Sequence, residues 1–484
     1  MARKKKDESQ PSSESGTGTS PSSTTQQSSS FKLEINRTRK RDLPFISMGI
    51  RFRANVEALN MVETAGNLTK HRVVPIVVYK NGKPSLKWYP ALSGETLAHA
   101  IQANLALLEK LDKKEKGKDA DLCYFCGLPE PEFIKHTFLD FFEKLIGHIQ
   151  DLPEWEKNLI EGKFDEDEKD KDKTNDEKVE KTIVKHCVVE DVGGFLITKS
   201  STKVQLSMNM LRRTSAFQVS YAIPTEDSIE EASTTDIQMQ VRTAFTALLY
   251  AKNLPTNEDY FNILQTPYNK EIASTTYSFI FNFDADKVGV SALTNEVLLD
   301  NDKRKRRAKL VLDALKMLLD GQFGASKSRY YPFMSKEFIL AAVSKGDVLF
   351  TVSSPAMKLE DFIEETIARA VKYVEEFEIE IKLYAWIDSS FNKDKKIDTY
   401  IKTVVDKYVP QEPPKPNSTS GSQQLSKSEE TTKIEVLANN VKIGKGSISI
   451  TVIVSRSHAD LIEKLKEEIE AKQNQTQQKL GGQQ

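Results

Sequence analysis

Between Met48 and Glu57 apolar and polar positions alternate. Ile50, Phe52, Ala54 and Val56 fall on one side, and Arg51, Arg53, Asn55 and Glu57 on the other. A period of two predicts a half-buried strand with two arginines on its open face. Val73–Tyr79 (VVPIVVY) predicts a second strand, and Pro75 assigns it to an edge or a bulge, because proline donates no ladder hydrogen bond. The period then lengthens. In SGETLAHAIQANLALLEKL, Ser93 is a helix N-cap, with Leu97, Ile101, Leu105 and Leu108 at helical spacing. Thr275–Phe283 (TTYSFIFNF) returns to period two, with Tyr277, Phe279, Phe281 and Phe283 on one side, and Arg306–Asp320 predicts a helix closed by Gly321. Arg212-Arg213-Thr214-Ser215 opens a further strand, AFQVSYAIP. Strands and helices mixed in this order predict an α+β sheet with helices on one face, with a ferredoxin-like or RRM-like core as the first expectation.

Other stretches lack periodicity. The chain divides into a Ser/Thr/Gln-rich tail (residues 1–42), a first part of the core (43–110), an acidic insertion (111–181), the continued core (182–410), a Pro/Ser/Gln linker or loop (411–431), a closing strand–helix part of the core (432–470) and a polar tail (471–484). The tails and the linker are too polar to bury a core. Within the insertion, CYFCGLPEPEFIKHTFLDFFEKLIGHI is apolar enough to pack, with a helix expected over Pro131–Ile149. EGKFDEDEKDKDKTNDEKVEK is expected to be mobile.

Composition narrows the function classes. No apolar run reaches the roughly 18–20 residues of a membrane span, so no membrane partner is expected. Three cysteines in 484 residues exclude a disulfide scaffold and, with no secretory signal at the start, point to a reducing cytoplasm. The net charge of -1 conceals a partition. Asp121–Lys181 holds 18 acidic against 9 basic residues, whereas Arg51–Leu97 holds seven basic against three acidic, and Lys303-Arg304-Lys305-Arg306-Arg307 is a continuous cationic run. The acidic insertion thus masks a basic core able to carry an anion-binding face.

Candidate chemistry is sparse. Cys123-x-x-Cys126 is one half of a zinc knuckle, and a full site needs two more ligands, with His136, His148, His186 and Cys187 as candidates. Alone the pair reads as two buried thiols, and neither metal nor cofactor is expected. There is no GxSxG, HExxH or Walker motif. Glu190-Asp191 reads as a turn before a strand rather than an acid/base dyad. His71, between Lys70 and Arg72, is the one candidate for a metal-independent ribonuclease. Phosphate binding is better supported, because Gly321-Gln-Phe-Gly324-Ala-Ser-Lys327-Ser-Arg329-Tyr330-Tyr331 combines glycines, hydroxyls, cations and aromatics. The run 303–307, placed at a helix start against the macrodipole, calls for an anionic partner. The Tyr277–Phe283 aromatics read as core rather than as base-stacking residues, and the RRM signature K/R-G-F/Y-G/A-F-V-x-F/Y is missing.

Several segments together resemble one family. GIRFRANVEALNMVETAGNLTKHR, YPALSGETLAHAIQ, EDVGGFL, MLRRTSAFQVSYAIP and KRRAKLVLDALKMLLDGQFGASKSRYYP resemble the archaeal CRISPR-associated DevR-type autoregulator family. That family supplies the backbone (Cas-seven) subunit of type I-A Cascade, within the RAMP superfamily. The resemblance runs from about Met48 to Pro332 and resumes over Ile434–Glu468. It implies a modified RRM-like fold with an inserted thumb hairpin and a helical insertion. It also implies a head-to-tail filament of copies along CRISPR RNA, other Cascade subunits as neighbours, and target DNA read through the guide. Carried over by position, Asn67, Lys70, His71 and Arg72 are implied guide contacts. Ile197–Met210 is the implied thumb, with Arg212, Arg213 and Thr214 at its base; Lys327 and Arg329 complete the set beside Arg51 and Arg53. The tail, the insertion with CYFC and the linker are additions to the family pattern. The expectation is a non-catalytic RNA-binding backbone subunit. The alternatives are a metal-independent endoribonuclease of the same superfamily, using His71 and Lys70, and a DNA-binding regulator.

Overall fold

A computed structural model of the chain describes residues 39–471, except 67, 132–142, 145–147, 149–150, 165–171, 208–209, 230–233, 242–266, 324–329 and 411–431. Its first half runs β1 (Phe45–Glu57), β2 (Met61–Ala65), β3 (Leu68–His71), β4 (Val73–Lys80), β5 (Lys83–Pro90), α1 (Gly94–Glu115), α2 (Glu154–Ile160), α3 (Asn175–His186) and α4 (Val188–Gly193). Short strands follow: β6 (Phe195–Ile197), β7 (Leu211–Arg213), β8 (Phe217–Val219), β9 (Ile223–Pro224) and β10 (Thr234–Val241). The second half runs β11 (Pro267–Asp284), α5 (Asn301–Leu319), β12 (Phe333–Lys345), α6 (Leu359–Phe377), β13 (Glu380–Asp388), α7 (Ser389–Lys395), α8 (Ile397–Tyr408), β14 (Lys433–Ile443), β15 (Gly446–Ser455) and α9 (Ala459–Glu470).

The α+β expectation holds in this form: one large mixed sheet, eleven-stranded among the described residues, in the order β14-β15-β13-β12-β1-β11-β3-β2, with β8, β9 and β10 also paired to β11. Most ladders are antiparallel; β13–β15 and β11–β3 are parallel. The long aromatic strand β11 pairs with β1 from Phe45↔Asp284 to Ala54↔Thr275. Its alternation puts Tyr277, Phe279, Phe281 and Phe283 in the core, as their spacing predicts. Each such ring contributes roughly 1.5–3 kcal/mol of burial.

Helices cover both faces of the sheet, not one. On the first face α1, α5 and α9 bury Leu97, Ile101, Val311, Leu315, Leu461 and Leu465 against Ile50, Phe52, Phe281, Ile339 and Trp386. On the second, α6 and α8 bury Phe362, Ile367, Ile401 and Val404 against Leu340, Leu383, Ala385 and Ile450. Strands β12, β13 and β15 are apolar on both sides, the pattern of a doubly covered sheet. Gly49 lets α6 approach, since a Cβ there would stand 2.5 Å from the Phe362 ring.

The double cover overturns the open face expected for β1. Arg51 is 3% exposed; it pairs with Asp227 and donates to the Met357 carbonyl at 3.1 Å. Arg53, two residues on, is exposed because cover on that side ends there. Helix α1 begins as predicted, the Ser93 hydroxyl accepting from the Thr96 amide at 3.2 Å. Helix α5 begins five residues before its predicted start, with Asp300 as N-cap, and Gly321 takes a φ of 91° after its end.

The insertion is partly core. The end of its charged run forms α3, opened by a Thr174–Glu177 capping box, with Val179 and Ile183 buried against Leu159 and Phe195. That part differs from the mobile segment expected, because alternate helical positions supply an apolar stripe within a charged sequence. The helix expected over Pro131–Ile149 lies almost wholly outside the described residues, as does the 411–431 stretch.

Candidate nucleic-acid interface

Two sequence motifs, DVGGF and RRTS, meet in one groove. Strand β6 pairs with β7 in the register Phe195↔Arg213, Leu196↔Arg212, Ile197↔Leu211. Gly193 and Gly194 thereby line a groove of about 380 Å³ together with Arg212, Thr214, Ser215 and Gln218. Glycine is required at 194: φ is 74°, and a Cβ would lie 2.5 Å from the Arg213 carbonyl oxygen. Arg212, Thr214 and Gln218 are exposed there, so the groove offers a guanidinium, a hydroxyl and an amide beside bare backbone.

Arg213 faces the other way. Only 5% exposed, it donates to Glu180 (3.0 Å), Asp191 (2.6 Å) and the Asp191, Lys287 and Val290 carbonyls. Asp191 also accepts from Arg307 at 2.7 Å and from the Gly289 amide at 3.0 Å. This carboxylate, the first residue of DVGGF, is the hub that ties α4, β7 and α5 together.

The cationic run 303–307 belongs to the same interior. Arg304 is 1% exposed and pairs with Asp286 at 3.3 Å. Arg306 meets Glu109 at 2.7 Å and Asp112 at 2.9 Å, and Lys303 meets Asp121 at 2.8 Å. Lys305 reaches Glu470 at 3.6 Å. Internal carboxylates, not an external anion, therefore explain a run that sequence alone assigned to a partner. Burial raises the Asp121 carboxyl, but Lys303, Arg307 and Lys113 outweigh it and bring it to about 2.

At the opposite end of β11, Leu68–His71 of the GNLTKHR segment form β3 of the β2–β3 hairpin, whose Leu68 and Thr69 pair with Asn269 and Lys270. His71 is 2% exposed. Its Nε2 lies 2.7 Å from Glu57 Oε1 and its Nδ1 2.8 Å from the Arg72 carbonyl oxygen. Glu57 also accepts from the Tyr277 hydroxyl at 2.7 Å and the Leu59 amide at 2.6 Å. With acceptors on both sides, the imidazole donates from both nitrogens and is an imidazolium. Burial lowers the His71 pKa, but the Glu57 hydrogen bond and charge outweigh it and raise it above the ordinary value. His71 thus holds the hairpin and presents nothing to solvent. Lys70 is half-buried; Arg72 is half-buried too, its Nε enclosed without a hydrogen-bond partner among the described residues.

Lys270 lies 4.6 Å from the Tyr330 ring centre, so the end of the 321–331 loop converges on the hairpin. Asn67, Lys327 and Arg329 lie outside the described residues. The hairpin and the groove sit about 40 Å apart along β11, taking Lys270 and Asn282 as markers and about 3.3 Å per residue.

Of the segment 197–210, implied as the thumb, the described residues 197–207 pack inward at Val204 and Leu206. Val204 is 0% and Leu206 6% exposed, in one cluster with Leu159 and Ile183. Two further features lie outside these segments. The β4–β5 hairpin turns at Asn81-Gly82, both at positive φ (53° and 74°), the strongest short hairpin signal. Its register sets Pro75, Val77 and Tyr79 opposite Trp88, Leu86 and Pro84, all exposed, with Tyr79 at 74% and Trp88 at 63%. The other is a thiol cluster: Cys187 joins Cys123 and Cys126, all buried, with the three sulfurs within 4.8 Å of one another. Of the other ligand candidates, His148 is exposed, His186 stacks on Trp155, and His136 lies outside the described residues.

Known proteins resemble this chain in sequence. The family model described as CRISPR-associated negative auto-regulator DevR/Csa2 matches residues 48–367. CRISPR-associated aCascade subunit Cas7/Csa2 2 of Saccharolobus solfataricus is 30% identical over 332 residues, covering 68% of this chain and 87% of its own. CRISPR-associated protein Cas7/Csa2 1 of the same organism is 30% identical over 316 residues, covering 65% and 82%. Among solved structures, a chain of a CRISPR RNA-guided surveillance complex, pre-nicking, aligns with a TM-score of 0.38 at 9% identity, covering 71% of this chain and 92% of that one.

Proposed function

We propose, from the premise that this chain belongs to the CRISPR-associated DevR/Csa2 family, that it is the RNA-binding backbone subunit of a type I-A Cascade interference complex. In this reading copies assemble head to tail along CRISPR RNA in the cytoplasm, on an RRM-like core. They present the guide for pairing with target DNA beside other Cascade subunits, without turnover of their own. The observation that carries the reading is the groove in which DVGGF and RRTS are joined with Arg212 and Thr214 outward.

The extended spacing of groove and hairpin along β11 supports a long, thin ligand. Arg53, Lys70, Arg72, Arg212 and Thr214 are its contacts among the described residues, and Asn67, Lys327 and Arg329 join them through the family resemblance. The long β10–β11 ladder, with Ile237 and Met239 exposed, suits a thumb better than residues 197–210. The apolar β4–β5 face suits a second copy. A ribonuclease needs His71 at the surface, and its 2% exposure argues against that reading.

Purification from the native cells at moderate salt, followed by sequencing of bound nucleic acid, tests the proposal. Short repeat-plus-spacer RNAs in a large assembly are expected. A monomer free of nucleic acid would sink it.

A further inference from the structure

Cys123 and Cys126 sit on a tight turn, where the Gly127 amide donates to the Cys123 carbonyl at 2.9 Å and to that of Tyr124 at 3.1 Å. Cys187 is the N-cap of α4 and comes from the far side of the acidic insertion, 61 residues after Cys126. The two ends are laced together, the Val188 amide donating to the Asp121 carbonyl at 2.9 Å.

All three thiols are buried, and the fold brings them together from two segments that flank the insertion.

A zinc ion about 2.3 Å from each sulfur requires sulfur separations near ~3.8 Å. The observed cluster, within 4.8 Å, reaches that by contracting about an ångström. We propose that Cys123, Cys126 and Cys187 hold a structural zinc ion, stapling the two roots of the acidic insertion to the core. Binding releases the three thiol protons to solvent. Soft thiolates select zinc over the hard divalent ions, and closing a loop of this length is where a cross-link restricts the unfolded chain most.

Metal content of the full chain, expressed with added zinc and washed with a chelator, reads this without RNA, so the outcome is separate from the proposed guide-binding role. About one zinc per chain is expected. The Cys187→Ser chain should hold less than about a tenth of that. In case that variant fails to fold, the wild-type chain carries a second measurement: a mercurial that titrates thiols should release zinc in step with three thiols, and cobalt substitution should give thiolate-to-cobalt absorption. A folded wild-type chain without zinc and without the cobalt band, or one whose mass shows a Cys123–Cys126 disulfide, overturns the proposal.

Discussion

Adjacent residues in this chain have opposite duties, and RRTS is the sharpest case. Arg212 stands in solvent beside the Gly193–Gly194 backbone, while Arg213 directs its donors to Glu180, Asp191 and three carbonyls. Arg212→Gln is expected to leave the thermal midpoint unchanged and to lower the salt slope of RNA binding by about 0.7 for each phosphate that Arg212 neutralises. Arg213→Gln is expected to destabilise the fold by about 3–5 kcal/mol, because Asp191 and Glu180 remain buried without it. Equal midpoints for the two variants in a thermal melt would refute this division. His71 makes a separate prediction. Its folded pKa lies above the unfolded value of 6.5, so its contribution is complete below about pH 6.5 and fades as pH rises through the folded value. His71→Gln should flatten that part of a stability–pH curve. If the wild-type and variant curves stay parallel above pH 6.5, the imidazolium assignment is wrong.

Among the elements, α5 shows how charge misleads. A run of five cations reads as a binding face because sequence carries no record of the carboxylates that meet it. Here they come from α1, the Cys123 turn and the β11–α5 connection. Asp121, held at about 2 by Lys303 and its neighbours, stabilises the fold above its ordinary pKa. It gives that up, on the order of 2 kcal/mol, as pH falls from about 4 to about 2. Asp121→Asn should therefore be less stable than wild type at neutral pH and equal to it in acid melts; a constant difference across that window would contradict the ion-pair account. Periodicity, by contrast, travelled well from sequence to structure. The β11 and α1 patterns, and that of β1 as far as Ala54, name their buried residues because one side of each must be apolar wherever it packs; beyond Ala54 a bulge turns Val56 outward and buries Glu57. What periodicity missed was the second layer: α6 and α8 turn the outer side of β1 from open face into interior, and Arg51 with it. The candidate site was legible as motifs but not as a place, since bringing Gly194 against Arg213 depends on a three-residue β-ladder with no pattern of its own.

For the whole molecule, the feature that a single chain leaves unsatisfied is apolar surface. The β4–β5 hairpin forms no ladder with the main sheet among the described residues, and a lone two-stranded hairpin is marginal in water. Yet one of its faces sets Val77 against Leu86 and Pro75 against Trp88 in the open. A contiguous exposed apolar face of this kind marks an interface, and in the proposed filament its occupant is the next copy of the chain. Covering it would complete the hairpin, so assembly and hairpin order should be coupled. A Val77→Glu/Trp88→Glu chain should stay folded, since neither side chain enters the core, and should still engage RNA through Arg212 and the β2–β3 end. It should not form the large assembly. Sedimentation with a guide-length RNA decides the matter: single-copy complexes are expected for the variant and multi-copy complexes for wild type. Multi-copy complexes from both would move the subunit contact elsewhere on the surface.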